Sequence, residues 1–311
     1  MTDGARQQMA SEQPTAGSTG PVKKRTKERQ SVDLPYRLAW RSTAVRTGAH
    51  RGTIEGAGGL FRDHVQLLRS PDPRRIDLRV SMRDPYGNLY VKRFEQKSAI
   101  TLYCLVDLSG SMAFGGASPK LDAAADIVGA LAASSRRIGD SFGLIGCGRH
   151  IVPELMFPAT RSRGGENEMI ERLRHAEPQG HSVGGLLEAA GYLAGHRKLV
   201  FVISDFYFPD ETVEAIFDAL TGHDVVPIVL RDETEARELP AWGLLTLRDL
   251  ETGGHRMLAM RPSLRKQLIA EADARDRVLG SIARRHGRAP CRLTTPVNWD
   301  RFTEYLMGEA A

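Results

Sequence analysis

Apolar residues in the second half of the chain occur in blocks of two kinds. Continuous apolar runs at residues 99–106, 198–203 and 224–230 are typical of strands that are buried on both faces of a parallel sheet. Residues 185–193 and 211–220 instead carry their apolar side chains at helical spacing. Strands that alternate with helices predict an α/β fold with a doubly wound, mostly parallel sheet.

Shorter patterns extend this fold in both directions along the chain. They predict a helix that opens with Ser118-Pro119, strands at residues 140–147 and 150–156, a helix at 263–285, an edge strand at 290–294 and a last helix at 299–307. Ahead of the first apolar run, residues 77–81 and 88–94 alternate polar and apolar side chains around the turn-forming residues 84–88. We expect a β-hairpin there.

These patterns divide the chain into three parts. Residues 1–32 are poor in apolar side chains and predict a disordered basic tail. Residues 33–98 predict a β-rich region that packs on the main domain, and residues 99–311 predict the α/β domain with a helical extension at its C-terminus.

Composition excludes several classes of protein. The hydrophobic share of 41% and the charged share of 26% are ordinary for a globular chain. No apolar run reaches the ~20 residues that span a bilayer, and the first thirty residues lack the apolar core of a secretory signal. The three cysteines are far apart and form no C-x-x-C pair, which argues against a disulfide scaffold or a structural zinc site. We expect a cytoplasmic protein without a membrane span.

Charge is distributed unevenly along the chain. Residues 1–100 carry 19 Lys and Arg against 10 Asp and Glu, whereas the whole chain has a net charge of only +5. The basic front, with its cluster at residues 23–27, admits a nucleic acid or an acidic protein as partner. A solvated tail is the plainer interpretation, because no aromatic residue is interleaved with that cluster.

Oxygen-bearing side chains follow two of the predicted buried strands. Asp107, Ser109 and Ser111 come directly after the first, and Asp205 follows the second. Ser182 adds a hydroxyl before the helix that lies between them. Open α/β sheets place ligands at the carboxyl ends of their strands, and carboxylate and hydroxyl oxygens suit a hard divalent cation. The sequence therefore predicts a metal site, with Mg²⁺ preferred and Mn²⁺ or Ca²⁺ as alternatives.

The pattern Asp107-x-Ser109-x-Ser111, followed by Ser182 and Asp205, resembles the metal-ion-dependent adhesion site (MIDAS) of von Willebrand factor A domains. In that family these positions surround one divalent ion, and Ser182 stands where a Thr is usual. The resemblance implies a von Willebrand factor A-like, Rossmann-type fold.

Further motifs resemble a bacterial A-domain-like family of unknown function, of the DUF58 type, over roughly residues 50–306. They are Arg75-Ile76-Asp77-x-Arg79, Gly87-x-Leu89-Tyr90-Val91, Arg93-Phe94-Glu95 and Asp249-x-Glu251-Thr252-Gly253. Leu78 replaces the family's usual Trp, and the transmembrane helices that precede this region in many members are missing from this sequence.

The second resemblance implies a partner and a role. Members are encoded beside MoxR-type AAA+ ATPases, and soluble members serve the maturation of methanol dehydrogenase. We therefore expect a non-enzymatic, metal-dependent adaptor that works with such an ATPase, and whose ion is completed by an acidic residue of a client protein.

Two alternatives belong to other classes. A magnesium-dependent phosphohydrolase of the haloacid dehalogenase type also starts from an Asp at the end of a buried strand, but it needs a second Asp where this chain has Ser109. A nucleic-acid-binding protein that uses the basic N-terminus is the other alternative.

Overall fold

The computed structural model of the chain describes residues 34–38, 40, 47–113, 120–162, 164–178, 180, 184–232, 242–248 and 255–308. The strands are β1 (Thr47–Gln66), β2 (Tyr90–Ser98), β3 (Thr101–Asp107), β4 (Ser141–Cys147), β5 (Ile151–Thr160), β6 (Leu199–Ser204), β7 (Asp224–Asp232), β8 (Gly243–Arg248), β9 (His255–Met260) and β10 (Cys291–Thr295). The helices are α1 (Leu78–Ser81), α2 (Lys120–Ile138), α3 (Glu166–Arg174), α4 (Gly184–Tyr192), α5 (Asp210–Ala219), α6 (Pro262–Arg285) and α7 (Trp299–Met307). Within these ranges, no helix is both long enough and apolar enough to cross a lipid bilayer.

Six strands form the central sheet in the order β10-β7-β6-β3-β4-β5. Neighbouring strands run parallel from β10 to β4, and β5 is antiparallel to β4. The three apolar runs of the sequence are the central strands β3, β6 and β7. The prediction of an α/β fold with a mostly parallel sheet is therefore confirmed.

Side chains of β3 alternate between two hydrophobic clusters, one on each face of the sheet. Leu102, Cys104 and Val106 pack in the cluster that includes residues of α2 and α7. Tyr103 and Leu105 pack in the cluster that includes residues of α4, α5 and α6. Helices on both faces explain why the strand is apolar at successive positions rather than at every second one.

The elements predicted from the shorter patterns agree with the structure to within a few residues at their ends. Strands β4 and β5, helix α6, edge strand β10 and helix α7 all lie where periodicity predicted them. The capping residues Ser118-Pro119 lie outside the described residues, as do the predicted tail at residues 1–32 and the family motif at 249–253. Helix α3 and the β8–β9 hairpin were not predicted.

The expected hairpin of residues 77–81 and 88–94 was wrong in its first strand. The partner of β2 is the long strand β1, and the two form an antiparallel ribbon with several register shifts. Residues 78–81 are instead helix α1, because the Asp77 carboxylate accepts the N–H groups of Arg79 and Val80 and caps the helix. The Ser81 hydroxyl accepts the Tyr90 N–H at 2.8 Å, which holds α1 against the start of β2.

The segment ahead of the ribbon contacts the α/β core directly. Leu34 is fully buried in the cluster beside α2, and its N–H donates to the Ser134 hydroxyl at 3.0 Å. The Tyr36 hydroxyl and His50 Nε2 both approach Asp140 Oδ2, at 2.5 and 2.7 Å. Asp140 is buried just before β4, so these contacts join the N-terminal residues to the central sheet.

Candidate metal centre

The predicted site lies where β3 and β6 end side by side. The two strands pair in parallel, with Val106 opposite Ile203, so that their carboxyl ends open onto the same edge of the sheet. Asp107 is the last residue of β3, and Asp205 follows the last residue of β6. Adjacent parallel strands thus place two carboxylates in one small region, as the sequence predicted.

Asp107 is fully buried and is held by three neutral donors. The Ser109 N–H donates to its Oδ1 at 2.8 Å, and the Ser109 hydroxyl donates to Oδ2 at 3.0 Å. The Ser204 hydroxyl donates to the same Oδ2 at 2.6 Å. These bonds fix the carboxylate against the loop that follows β3.

Hydroxyl groups connect the two carboxylates. The Oγ atoms of Ser109 and Ser111 lie 3.1 Å apart, and the Ser111 hydroxyl donates to Asp205 Oδ1 at 3.1 Å. Four of the five predicted ligands therefore form a continuous chain of oxygens, from Asp107 to Asp205, which we call the oxygen row. The fifth, Ser182, lies outside the described residues.

The loop after β3 also contacts the connection that precedes α4. The Gly110 N–H donates to the Gly180 carbonyl at 3.0 Å. On the other side of the same connection, the Gly185 N–H donates to the Gly148 carbonyl at 3.2 Å. A side chain at Gly185 would collide with the backbone oxygens of Gly148 and His150, so this close approach requires glycine.

Burial dominates the electrostatics of Asp107. Loss of water raises the pKa of its carboxyl to about 7, and the nearby charge of Asp205 acts in the same direction. Hydrogen bonds from Ser204 and Ser109 oppose this rise because they stabilise the ionised form. A buried carboxyl with a raised pKa needs positive charge close to it in order to ionise.

Lys120 is a member of the site that the sequence did not reveal. It is the first residue of α2 and is fully buried, and its Nζ donates to Asp205 Oδ2 at 2.8 Å. The same ammonium lies 3.4 Å from the Ser111 carbonyl and 5.5 Å from the centre of the Tyr207 ring. A lysine at the start of an amphipathic helix usually faces solvent, so only the three-dimensional packing identifies it.

The backbone after Asp205 is strained. Phe206 has φ of 52°, in the left-handed region that residues other than glycine seldom occupy. Its N–H donates to the Ser204 hydroxyl at 2.8 Å, and Arg231 donates to the Asp205 carbonyl. The Arg231 guanidinium also lies 4.6 Å from the centre of the Tyr207 ring. Strain of this kind persists where the surroundings impose it, and it is frequent at functional sites.

The donor set of the oxygen row fits a hard divalent cation. Carboxylate and hydroxyl oxygens are the ligands that Mg²⁺, Mn²⁺ and Ca²⁺ prefer. The Lys120 ammonium bonds to Asp205, whereas the hydrogen bonds of Asp107 come from neutral donors. In the part of the chain that the structure describes, no group of three or more His, Cys, Asp or Glu that could hold a metal ion occurs.

Three curated relatives of this chain are described as uncharacterised proteins. Residues 70–278 match the family described as "Protein of unknown function DUF58". "Uncharacterized protein Rv1480" from Mycobacterium tuberculosis is 25% identical over 261 residues, which cover 82% of this chain and 80% of that protein. Among solved structures, BatB from Bacteroides thetaiotaomicron is 14% identical with a TM-score of 0.40, and the match covers 67% of this chain and 96% of that chain. The SpRpn10 VWA domain is 14% identical with a TM-score of 0.30, over 43% of this chain and 75% of that chain.

The family match confirms one resemblance that the sequence motifs suggested. It spans more than half of the chain and includes β3, the loop after it and β6, which carry the oxygen row. The association with MoxR-type ATPases and with methanol oxidation stays a prediction. The chain belongs to the DUF58 family, whose function is unknown.

Proposed function

We propose that this protein is a non-enzymatic, metal-dependent adaptor that binds an acidic side chain of a client protein through a divalent ion. The observation that carries the proposal is the oxygen row, in which oxygens of Asp107, Ser109, Ser111 and Asp205 follow one another at 3.0, 3.1 and 3.1 Å at the carboxyl ends of two central strands. Ser182 is included in the proposal as a fifth ligand. The resemblance of these positions to a MIDAS supports the same assignment.

The chemistry of the ligands favours binding over catalysis. Hydroxyl ligands are neutral, and Asp205 already shares its charge with Lys120. An ion held in this way keeps much of its positive charge, and a carboxylate from another protein would complete its coordination. Mg²⁺ is the ion that we propose, with Mn²⁺ or Ca²⁺ as substitutes.

The proposed partner is a MoxR-type AAA+ ATPase, and the proposed client is an enzyme complex under assembly, such as methanol dehydrogenase. The motifs around β2 that resemble the ATPase-associated family support this choice. The proposed location is the cytoplasm, and three cysteines that are free and buried support this proposal.

The test compares wild type with Asp107→Asn. The amide of Asn has the shape of the carboxylate without its charge, and the hydroxyls of Ser109 and Ser204 that face Oδ2 can accept as well as donate. We expect Asp107→Asn to lower the affinity for Mn²⁺ and Mg²⁺ by at least about tenfold, since a charged ligand is lost. Calorimetric titration of the full chain measures the affinity, and circular dichroism checks the fold.

A matched control is Asp273→Asn, which removes an exposed carboxylate from α6. It should bind the ions as wild type does. Capture of the purified MoxR-type ATPase encoded nearest to this gene should then occur in MgCl₂ and be lost in chelator and with Asp107→Asn. Equal metal affinity in wild type and Asp107→Asn would refute the metal site. Capture of the ATPase to the same extent with and without chelator would refute the metal-dependent adaptor.

The phosphohydrolase remains a weaker proposal. Asp107 occupies the position of a nucleophile, but the group two residues further on is the hydroxyl of Ser109, which donates to Asp107 itself. A hydroxyl with a normal pKa is a poor general acid for a leaving alkoxide. The geometry therefore favours the adaptor.

A further inference from the structure

Lys120 and Asp205 form a fully buried ion pair within the candidate metal centre. Neither side chain has any exposed surface. Removing an ammonium from water is costly, and the cost is met only where close counter-charges and acceptors surround the ion. Here they include Asp205 Oδ2 at 2.8 Å, the Ser111 carbonyl at 3.4 Å and the face of Tyr207.

The two oxygens of Asp205 have different partners. Oδ1 faces the oxygen row, where it accepts from the Ser111 hydroxyl and, at 3.3 Å, from the Tyr207 N–H. Oδ2 faces Lys120. The ammonium and the oxygen row therefore contact different oxygens of Asp205.

The same ammonium joins two loops of the site. Its contacts with Asp205 and with the Ser111 carbonyl connect the segment after β6 with the segment after β3. The bonds of Asp107, in contrast, come from the neutral donors Ser109 and Ser204. Lys120 is thus the cation that holds Asp205 in place before any metal arrives.

We propose that Lys120 is a built-in counter-ion, which keeps the centre folded without metal and weakens the binding of the divalent ion so that the ion can be exchanged. The proposal rests on the metal site proposed above. Its consequence is a docking site that can lose its ion without losing its shape. Metal supply could then switch client binding on and off in a protein that stays folded.

The test is Lys120→Met in the full chain, with Lys266→Met on the exposed face of α6 as the matched control. In chelator, Lys120→Met leaves Asp205 buried without its ammonium, so we expect its Tm to fall by about 10 °C. Millimolar MgCl₂ should restore most of that loss, because the ion supplies the missing charge. Wild type and Lys266→Met should shift little between the two buffers.

Metal affinity separates the counter-ion from a merely structural lysine. Removing a positive charge beside the site should make Lys120→Met bind Mn²⁺ about tenfold more tightly than wild type in calorimetric titration. If Lys120 only positioned Asp205, the variant would bind the ion more weakly. Unchanged or weaker binding would therefore overturn the proposal.

Two further outcomes are distinct. A Lys120→Met protein that is as stable as wild type in chelator would overturn the counter-ion while leaving the metal site standing. A destabilised variant that no divalent ion rescues, together with no binding by wild type, would overturn the metal site and the counter-ion together. If Lys120→Met does not fold, the double variant Lys120→Met/Asp205→Asn removes both charges. It should fold in chelator and should not gain stability from MgCl₂; failure to fold would refute the charge argument.

Discussion

Ser204 offers the sharpest test of how the candidate centre is held together. It is fully buried at the end of β6, and its hydroxyl makes two bonds at once. It donates to Asp107 Oδ2 at 2.6 Å and accepts the N–H of the strained residue Phe206 at 2.8 Å. Ser204→Ala removes both bonds and a single oxygen atom, so it creates almost no cavity.

The size of the expected destabilisation follows from the two groups that lose a hydrogen-bond partner. A buried N–H left without an acceptor costs about 1–3 kcal/mol, and this term applies to Phe206. The bond to Asp107 contributes about 1 kcal/mol as an ordinary hydrogen bond and more when the carboxylate is charged. We therefore expect Ser204→Ala to lower the free energy of unfolding by about 2–4 kcal/mol.

Ser204→Ala should also weaken metal binding, because Asp107 loses a donor that fixes its orientation. Groups that orient a metal ligand typically contribute about 10- to 100-fold to affinity. Urea denaturation in chelator measures stability, and calorimetry with Mn²⁺ measures binding. The control is Ser281→Ala, whose exposed hydroxyl donates to the Val278 carbonyl within helix α6, and which should change stability by less than about 0.5 kcal/mol.

Two results would contradict this reasoning. If Ser204→Ala unfolds at the same urea concentration as Ser281→Ala, the buried bonds of Ser204 do not stabilise the fold as argued. If stability falls while the affinity for Mn²⁺ is unchanged, Ser204 supports the strand end but does not orient a metal ligand.

Two other predictions concern the N-terminal segment and the absence of catalysis. Leu34→Ala should lower the free energy of unfolding by about 2–5 kcal/mol, because Leu34 is fully buried beside α2. The control Leu68→Ala, at a side chain that is 92% exposed, should change it by less than about 0.5 kcal/mol. Equal melting temperatures of the two variants would show that the N-terminal segment does not pack on the domain. Purified protein with MgCl₂ should not hydrolyse p-nitrophenyl phosphate above background, since Ser109 offers only a hydroxyl where the reaction needs an acid; turnover that Asp107→Asn abolishes would favour the phosphohydrolase.

The sheet was predictable because its strands have few alternatives. A continuous apolar run such as β3 or β6 can be stable only where both faces are covered, which fixes its place in the middle of the sheet. Helix α7 has the bounds that were predicted for it, and in the structure Asn298 caps its first turn and Gly308, at φ of 78°, ends it. The apolar runs and the capping residues are local features of the sequence, and the elements that they indicate are present in the fold.

The N-terminal ribbon was not predictable by the same means. Strand β1 is long, rich in glycine and interrupted by register shifts against β2, so it has no regular alternation of polar and apolar residues. Residues 77–81 do alternate, but five residues fit a strand and a capped helical turn equally well. The side chain of Asp77 decides between them, and periodicity does not report on a capping bond.

The candidate centre shows where sequence reasoning ends. The sequence placed Asp107 and Asp205 at the ends of two buried strands, but it did not reveal the partners of either carboxylate. The structure makes them different: Asp107 is held by neutral donors and has a raised pKa, whereas Asp205 shares its charge with Lys120. Because Lys120 lies 85 residues before Asp205, only the tertiary fold creates that pair. A cation in the oxygen row would therefore be stabilised mainly by the negative charge of Asp107. For this reason, removing that carboxylate should weaken metal binding more than removing any other ligand of the row.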